Sequence, residues 1–83
     1  MIQQDFYIIV GNKLRMYRED AGIKPTAFCQ ELVDYNIFFS DRQLRRYESG
    51  DSPIPLYTLA ACANVLNIEL TDLLPNIEHF KTV

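Results

Sequence analysis

Within residues 40–50, Ser-Asp-Arg-Gln-Leu-Arg-Arg-Tyr-Glu-Ser-Gly, the chain carries a helix start, a helix stop and a two-faced interior. Ser40 can accept from the free N–H groups of a first turn, Asp41 sits where the positive end of the helix dipole favours an acid, and Gly50 can take the left-handed conformation that closes a helix. Between these caps Leu44 and Tyr47 fall three apart on one face, while Asp41, Arg42, Gln43, Arg45 and Arg46 occupy the rest. The predicted helix, 40–49, therefore has one face to bury and one to grip with. Arg suits forked contacts with guanine or phosphate and Gln can pair with adenine, so base-reading chemistry is denser here than anywhere else in the chain. The same residues suit a solvated surface helix equally well, and the choice between the two depends on what surrounds it.

The surroundings are helical. Over residues 5–21, Phe6, Val10, Leu14, Tyr17 and Ala21 recur at spacings of three and four, with Lys13, Arg15, Arg18, Glu19 and Asp20 on the other side, and Gly22 ends the segment. Ile23 returns the chain to the core. Pro25 fits the first turn of a second helix, residues 25–33, because its missing N–H would have had no partner there; Phe28, Cys29 and Leu32 face inward. Residues 34–39 are less regular: Asn36 signals a turn, and Tyr35, Ile37, Phe38 and Phe39 give more apolar surface than a plain connection needs, so some must fold back onto the core. After the helix 40–49, Gly50-Asp-Ser-Pro-Ile-Pro reads as a loop. Pro55 suits the start of a fourth helix, 56–66, with Leu59, Ala60, Ala63 and Leu66 as its apolar stripe and Asn67 as its stop. Ile68, Leu70, Leu73 and Leu74 belong to a short fifth helix that Pro75 stops, and Ile77 and Phe80 in the tail 75–83 allow one more turn. No alternation of period two competes, so the fold class expected is all-α.

Eighty-three residues, 48% of them hydrophobic, make one domain spanning 1–83, with room for one core and little for a deep catalytic cleft. The formal net charge of −3 argues against a polyanionic partner only until its distribution is considered. Residues 1–50 hold seven Lys or Arg against seven Asp or Glu, whereas residues 51–83 hold only Lys81 against Asp51, Glu69, Asp72 and Glu78. No apolar run is long enough to span a bilayer and the N-terminus lacks the pattern of a signal peptide, so a soluble, cytoplasmic protein with no membrane partner is expected. Cys29 and Cys62 stand alone, without a Cys or His at zinc-ligand spacing, and His79 is isolated; both thiols are read as small core side chains and His79 as a surface residue. There is no Gly-rich phosphate loop, no Ser/His/Asp set and no paired carboxylate face. The expectation is a protein that is not an enzyme and needs no cofactor or metal.

Five short helices in this order, the second and third joined by a turn and the third bearing the polar face, resemble the helix-turn-helix domain of the Cro and phage-repressor family, the XRE-like regulators. The resemblance covers about residues 10–74. It rests on Leu14-Arg-Met-Tyr-Arg18-Glu-Asp-Ala-Gly22-Ile23, on Phe28-Cys29 in place of the usual Leu-Ala, on Leu44-Arg-Arg-Tyr47-Glu48-Ser-Gly50, and on Leu59-Ala60, Leu66-Asn-Ile68 and Leu73-Leu74.

It implies a five-helix, lambda-repressor-like domain acting as a sequence-specific DNA-binding transcriptional regulator, repressor-like, that reads a palindromic operator in double-stranded DNA through the helix 40–49. By the same resemblance Arg18 and Glu48 form a structural ion pair, Asp41, Arg42 and Arg46 meet base edges, Gln43 and Arg45 lie nearer the backbone or at the rim, Lys24 contacts phosphate, and Ser40, the cap read above, belongs to the same DNA-binding set. Three departures bear on affinity. Pro25 replaces a polar residue that commonly donates to phosphate. Asp51 and Ser52 stand where the loop often carries Lys or Arg, and the turn between the second and third helices is about five residues longer than usual. An alternative follows: a helix-turn-helix fold used as a protein-interaction module without DNA binding. These residues hold no separate ligand-sensing domain, so regulation is expected to work through dimerisation or a regulatory protein partner. Ile68, Leu70, Leu73, Leu74, Ile77 and Phe80 crowd thirteen residues near the C-terminus, more apolar surface than one small core hides, and are expected to form a two-fold homodimer interface.

Overall fold

The first α-helix, α1 (Gln3–Asp20), lies across the last helix of a pair, α2 (Pro25–Leu32) and α3 (Asp41–Ser49), and α4 (Leu56–Val65) closes the core from the α2 side. This computed structural model describes residues 3–82. Two 3₁₀ segments complete the body: Val33–Tyr35 continues α2, and Leu70–Leu73 packs against α1 and α4, with a third, Ile77–Phe80, in the tail. The described residues contain no strand. The fifth helix is thus a single 3₁₀ stretch of four residues, opened by a reciprocal cap in which the Glu69 N–H donates to Asp72 Oδ2 at 3.0 Å.

Three helix ends are built by one local device. After α1, Gly22 N–H donates to Glu19 O and Ile23 N–H to Arg18 O; after α4, Asn67 and Ile68 do the same to Asn64 O and Ala63 O; after the 3₁₀ extension of α2, Asn36 and Ile37 donate to Val33 O and Leu32 O. In each, the first of the two residues takes positive φ, 72° at Gly22, 62° at Asn36 and 57° at Asn67. The isoleucine that follows turns back toward the apolar interior, which is how these ends combine a satisfied backbone with a core contact.

Val10, Leu14, Phe28, Leu32, Ile37, Leu44, Ile54, Leu59, Cys62 and Leu73 form the core, with Phe28, Leu32, Leu44 and Leu73 wholly inaccessible. Each such Leu or Phe contributes about 1.5–3 kcal/mol relative to exposure. The inward face of α4 runs through Thr58, Leu59, Ala61, Cys62 and Ala63, and Ala60 is exposed, because the helix is rotated from the stripe expected of it. Ala21 is likewise exposed at the open end of α1, whereas Arg18, expected on the solvent side by periodicity, is buried. Of the aromatic connection, Ile37 is in the core, Tyr35 and Phe39 are half-buried, and Phe38 is 71% exposed.

Leu73 is a correction to the expected dimer face: it is fully buried in the chain's own core and offers nothing to a second subunit. Phe80 folds back onto α1, its ring 5.4 Å from that of Phe6 in an edge-on arrangement. Ile68, Leu70 and Leu74 remain half-buried and Ile77 is exposed. The Lys13 ammonium reaches the carbonyl of Leu74 at 3.4 Å, tying this segment to α1.

Candidate nucleic-acid interface

Helix α3 begins at Ser40, whose Oγ accepts from the Gln43 N–H at 3.3 Å, and ends at Gly50, whose φ of 83° closes the last turn. Its nine residues are too few to be helical alone, so its position is set by what it rests on. Leu44 enters the core, and Tyr47 meets Phe39 edge-on with ring centres 5.3 Å apart. Near its end α3 comes backbone to backbone with α1 at Gly11. A Cβ at Gly11 would collide with the carbonyl oxygen of Tyr47 and stand 2.7 Å from that of Glu48. Only glycine admits this approach.

The second fixture is ionic. Arg18 Nε donates to Glu48 Oε2 at 2.6 Å and its Nη2 to Oε1 at 3.1 Å, while Nη1 donates to the carbonyl of Ile23 at 2.8 Å. The side chains are 7% and 6% exposed. The hydrogen bond to Glu48 raises the Arg18 pKa further above its already high value against the opposing effect of burial, so the guanidinium stays charged throughout the range of protein stability. The fork joins the last turn of α1, the turn that follows it and the last turn of α3. Among the described residues no buried side-chain polar atom lacks a partner.

The third fixture lies at the other end of α3. Thr26 in the first turn of α2 donates from Oγ1 to Asp41 Oδ2 at 2.6 Å, bridging the two helices where both begin. Burial pushes the nearby Cys29 thiol up to about 11, and the Asp41 carboxylate adds to the rise. Cys62, deep in the core, is pushed up to about 12 by burial. Both thiols are protonated and unreactive at neutral pH, in keeping with a packing role.

With α3 held in this way, Arg42, Arg45 and Arg46 are exposed together on its outward side, Gln43 is half-buried at its edge, and Asp41 is partly exposed at its first turn. Lys24, the residue that precedes α2, is exposed and makes no capping bond. Ser40 is exposed at the start of α3, and Asp51 is exposed in the loop beyond its end. The structure thus gathers Lys24, Ser40, Asp41, Arg42, Gln43, Arg45 and Arg46 around the α2–α3 pair, and sets Arg18 and Glu48 apart from them in the interior. Thr26 and Gly11 were not found from sequence. A glycine interrupting an apolar helical repeat was the available signal for the second; nothing local marks the first.

A short helix capped at both ends, its inner face in the core and its outer face arginine-rich, set behind a second helix that crosses its start, is a helix-turn-helix arrangement. The structure is similar to the crystal structure of the DNA-binding domain of BldD, with a TM-score of 0.72 over 89% of this chain and 100% of that one, at 22% sequence identity. No protein-family model and no curated protein matches the sequence. No helix among the described residues is long and apolar enough to cross a membrane.

Proposed function

We propose that this chain is a sequence-specific DNA-binding transcriptional regulator that inserts α3 into the major groove and works as a homodimer on a palindromic operator. The observation that carries the proposal is the outward row Arg42, Arg45 and Arg46 on a helix fixed at both ends, beside the exposed Lys24. Arg42 and Arg46 would meet base edges, Arg45 and Gln43 the rim of the groove, and Lys24 a phosphate. The similarity in fold to a domain that binds DNA in BldD supports it. The half-buried Ile68, Leu70 and Leu74 with the exposed Ile77 are the proposed two-fold contact, which would set half-sites about one helical turn, roughly 34 Å, apart. Selection of bound sites from a random DNA pool with the purified chain tests both parts: a palindromic motif is expected, and recovery of unenriched sequence would count against it.

A second reading has its own observation. Phe38 and Leu56 are each 71% exposed, Tyr57 63% and Val33 46%. The Tyr57 hydroxyl donates to the carbonyl of Tyr35 at 2.7 Å and Asn64 Nδ2 donates to the Tyr35 hydroxyl, so both ends of α4, which carries Leu56 and Tyr57, are tied to the α2–α3 connection, which carries Val33 and Phe38. That surface would serve a fold kept as a protein-interaction module. Retention on random DNA that falls steeply with salt favours the regulator; no retention at low salt favours the module.

A further inference from the structure

We infer that Asp41, held by Thr26, selects a cytosine: its carboxylate accepts from the exocyclic N4 amine of one cytosine per half-site, so that the bound sequence favours a C·G pair opposite the first turn of α3. The inference rests on the DNA-binding reading above and deepens it by naming the base and a positioning residue, Thr26, that does not itself touch DNA.

An acid on a surface meant for a polyanion is unfavourable unless it has a specific partner. Asp41 stands at the border of the exposed face, on the side of α2, and its Oδ2 is engaged at 2.6 Å by a hydroxyl from the neighbouring helix. The bond is exposed and spans two helices, so its main effect is to choose a direction for the carboxylate. A carboxylate can accept about four hydrogen bonds, and engaging Thr26 and the nearby Cys29 thiol still leaves capacity for another donor. In the major groove guanine offers only acceptors, thymine an acceptor and a methyl group, and adenine a donor next to an acceptor that would repel an acid. Cytosine alone presents a donor with no acceptor on its own major-groove edge, the guanine O6 beside it being left to an arginine. The first residues of a recognition helix are those that reach base edges, which is where Asp41 lies. Arg42 beside it can take guanine N7 and O6, so a G·C-rich half-site is the combined expectation.

Site selection followed by titration of matched duplexes that differ only at the selected pair tests this. The wild type should prefer C at one position of each half-site by about tenfold or more. Asp41→Asn should move that position toward A, since an amide pairs with adenine, and leave the remaining positions as they were. Thr26→Val should lower the ratio of affinities for the C and non-C duplexes several-fold, and Thr26→Ser should restore it. A Thr26 that served only to hold the fold would lower both affinities alike and leave the ratio unmoved, which overturns the inference, as does a preference that Asp41→Asn does not shift. Retention of the wild type on random DNA at low salt separates the two levels. Without retention the DNA-binding reading fails and this inference with it; retention without a cytosine preference sinks this inference alone.

Discussion

Gly11→Ala tests how α3 is mounted, because the usual sign of that substitution is reversed here. In an exposed helix interior, replacing Gly by Ala gains about 0.8–1.0 kcal/mol through propensity alone. At Gly11 the new Cβ would stand 2.7 Å from the Glu48 carbonyl oxygen and 2.8 Å from its carbon, where ordinary contact begins at 3.4 Å, and closer still to the Tyr47 oxygen. These are backbone atoms inside α3 and cannot swing aside. Relief needs α1 and α3 to part by more than half an ångström, and the buried Arg18–Glu48 fork crosses the same joint. Overpacking of this kind costs about 1–3 kcal/mol. Backbone clashes on two carbonyls place Gly11→Ala toward the upper end, so after the propensity gain a net loss of about 1–2 kcal/mol is expected. For a domain of this size that lowers Tm by roughly 4–16 °C. Urea and thermal unfolding followed by far-UV circular dichroism would measure it, with Asn12→Ala, one residue along on the exposed side of α1, as the control expected to hold or raise Tm. A Gly11→Ala protein as stable as its Asn12→Ala counterpart would refute the close approach of α1 and α3.

Arg18→Ala should destabilise by about 3–5 kcal/mol in urea titrations, because it strands a buried Glu48 carboxylate. Asn67→Ala is expected to cost about 1–2 kcal/mol by the same measurement and Asn67→Gly to cost far less, since φ is 57° there. The two thiols, raised to about 11 and about 12, should resist alkylation at pH 8 in the folded protein and react promptly in urea. Burial favours their neutral form, so the stability it confers is whole below the unfolded thiol value near 9 and declines as pH rises from there toward 12, visible as a falling urea midpoint. On DNA, Lys24→Ala should weaken all sequences alike and lower the salt slope by about one, while Asp51→Lys should tighten specific and random sequences together; equal salt slopes would remove Lys24 from the interface. Ile77→Asp should convert a dimer to a monomer in light scattering at about 100 μM, and a wild type already monomeric there would end the two-fold proposal.

What could be read from the sequence divides along the line between local and distant interactions. Helix ends were legible because each is decided within a few residues: Gly22-Ile23 and Asn67-Ile68 pair a residue that tolerates positive φ with an apolar one that returns to the core. The two faces of α3 were legible for the same reason, from Leu44 and Tyr47 against the arginines. The rotation of α4 was not, because Ala60 and Ala61 are chemically alike and only the neighbouring helices decide which is covered. Leu73 and Ile77 are alike in the sequence as candidates for an interface, and only the packing of the whole chain buries the first and leaves the second exposed. Nothing local shows the role of Gly11, since its value depends on a carbonyl 36 residues away. Thr26 had no signal at all: its partner, 15 residues on, becomes a neighbour only once the two helices have folded together.

A reading helix must be held to about half an ångström and 10–20° for its side chains to meet particular base edges. A nine-residue helix, roughly 13 Å long, gains that precision from the parts behind it. Here the supports are of different physical kinds at the two ends. At the start of α3 a hydroxyl from α2 holds Asp41 in an exposed bond that a single methyl-for-hydroxyl exchange removes. At its end the missing Cβ of Gly11 and the buried fork of Arg18 on Glu48 set both the distance and the rotation against α1, and neither can be altered without moving backbone or stranding a charge. Changes at α1 should therefore displace the end of α3 that carries Arg46 while the start that carries Asp41 stays seated on α2. On the proposed DNA-reading role, stability and base preference are then expected to separate by position, the buried C-terminal joint bearing on stability and the exposed N-terminal joint on direction. Substitution at Thr26 is expected to alter which sequence is chosen in a domain that remains as stable as before, whereas substitution at Gly11 or Arg18 is expected to weaken the fold first.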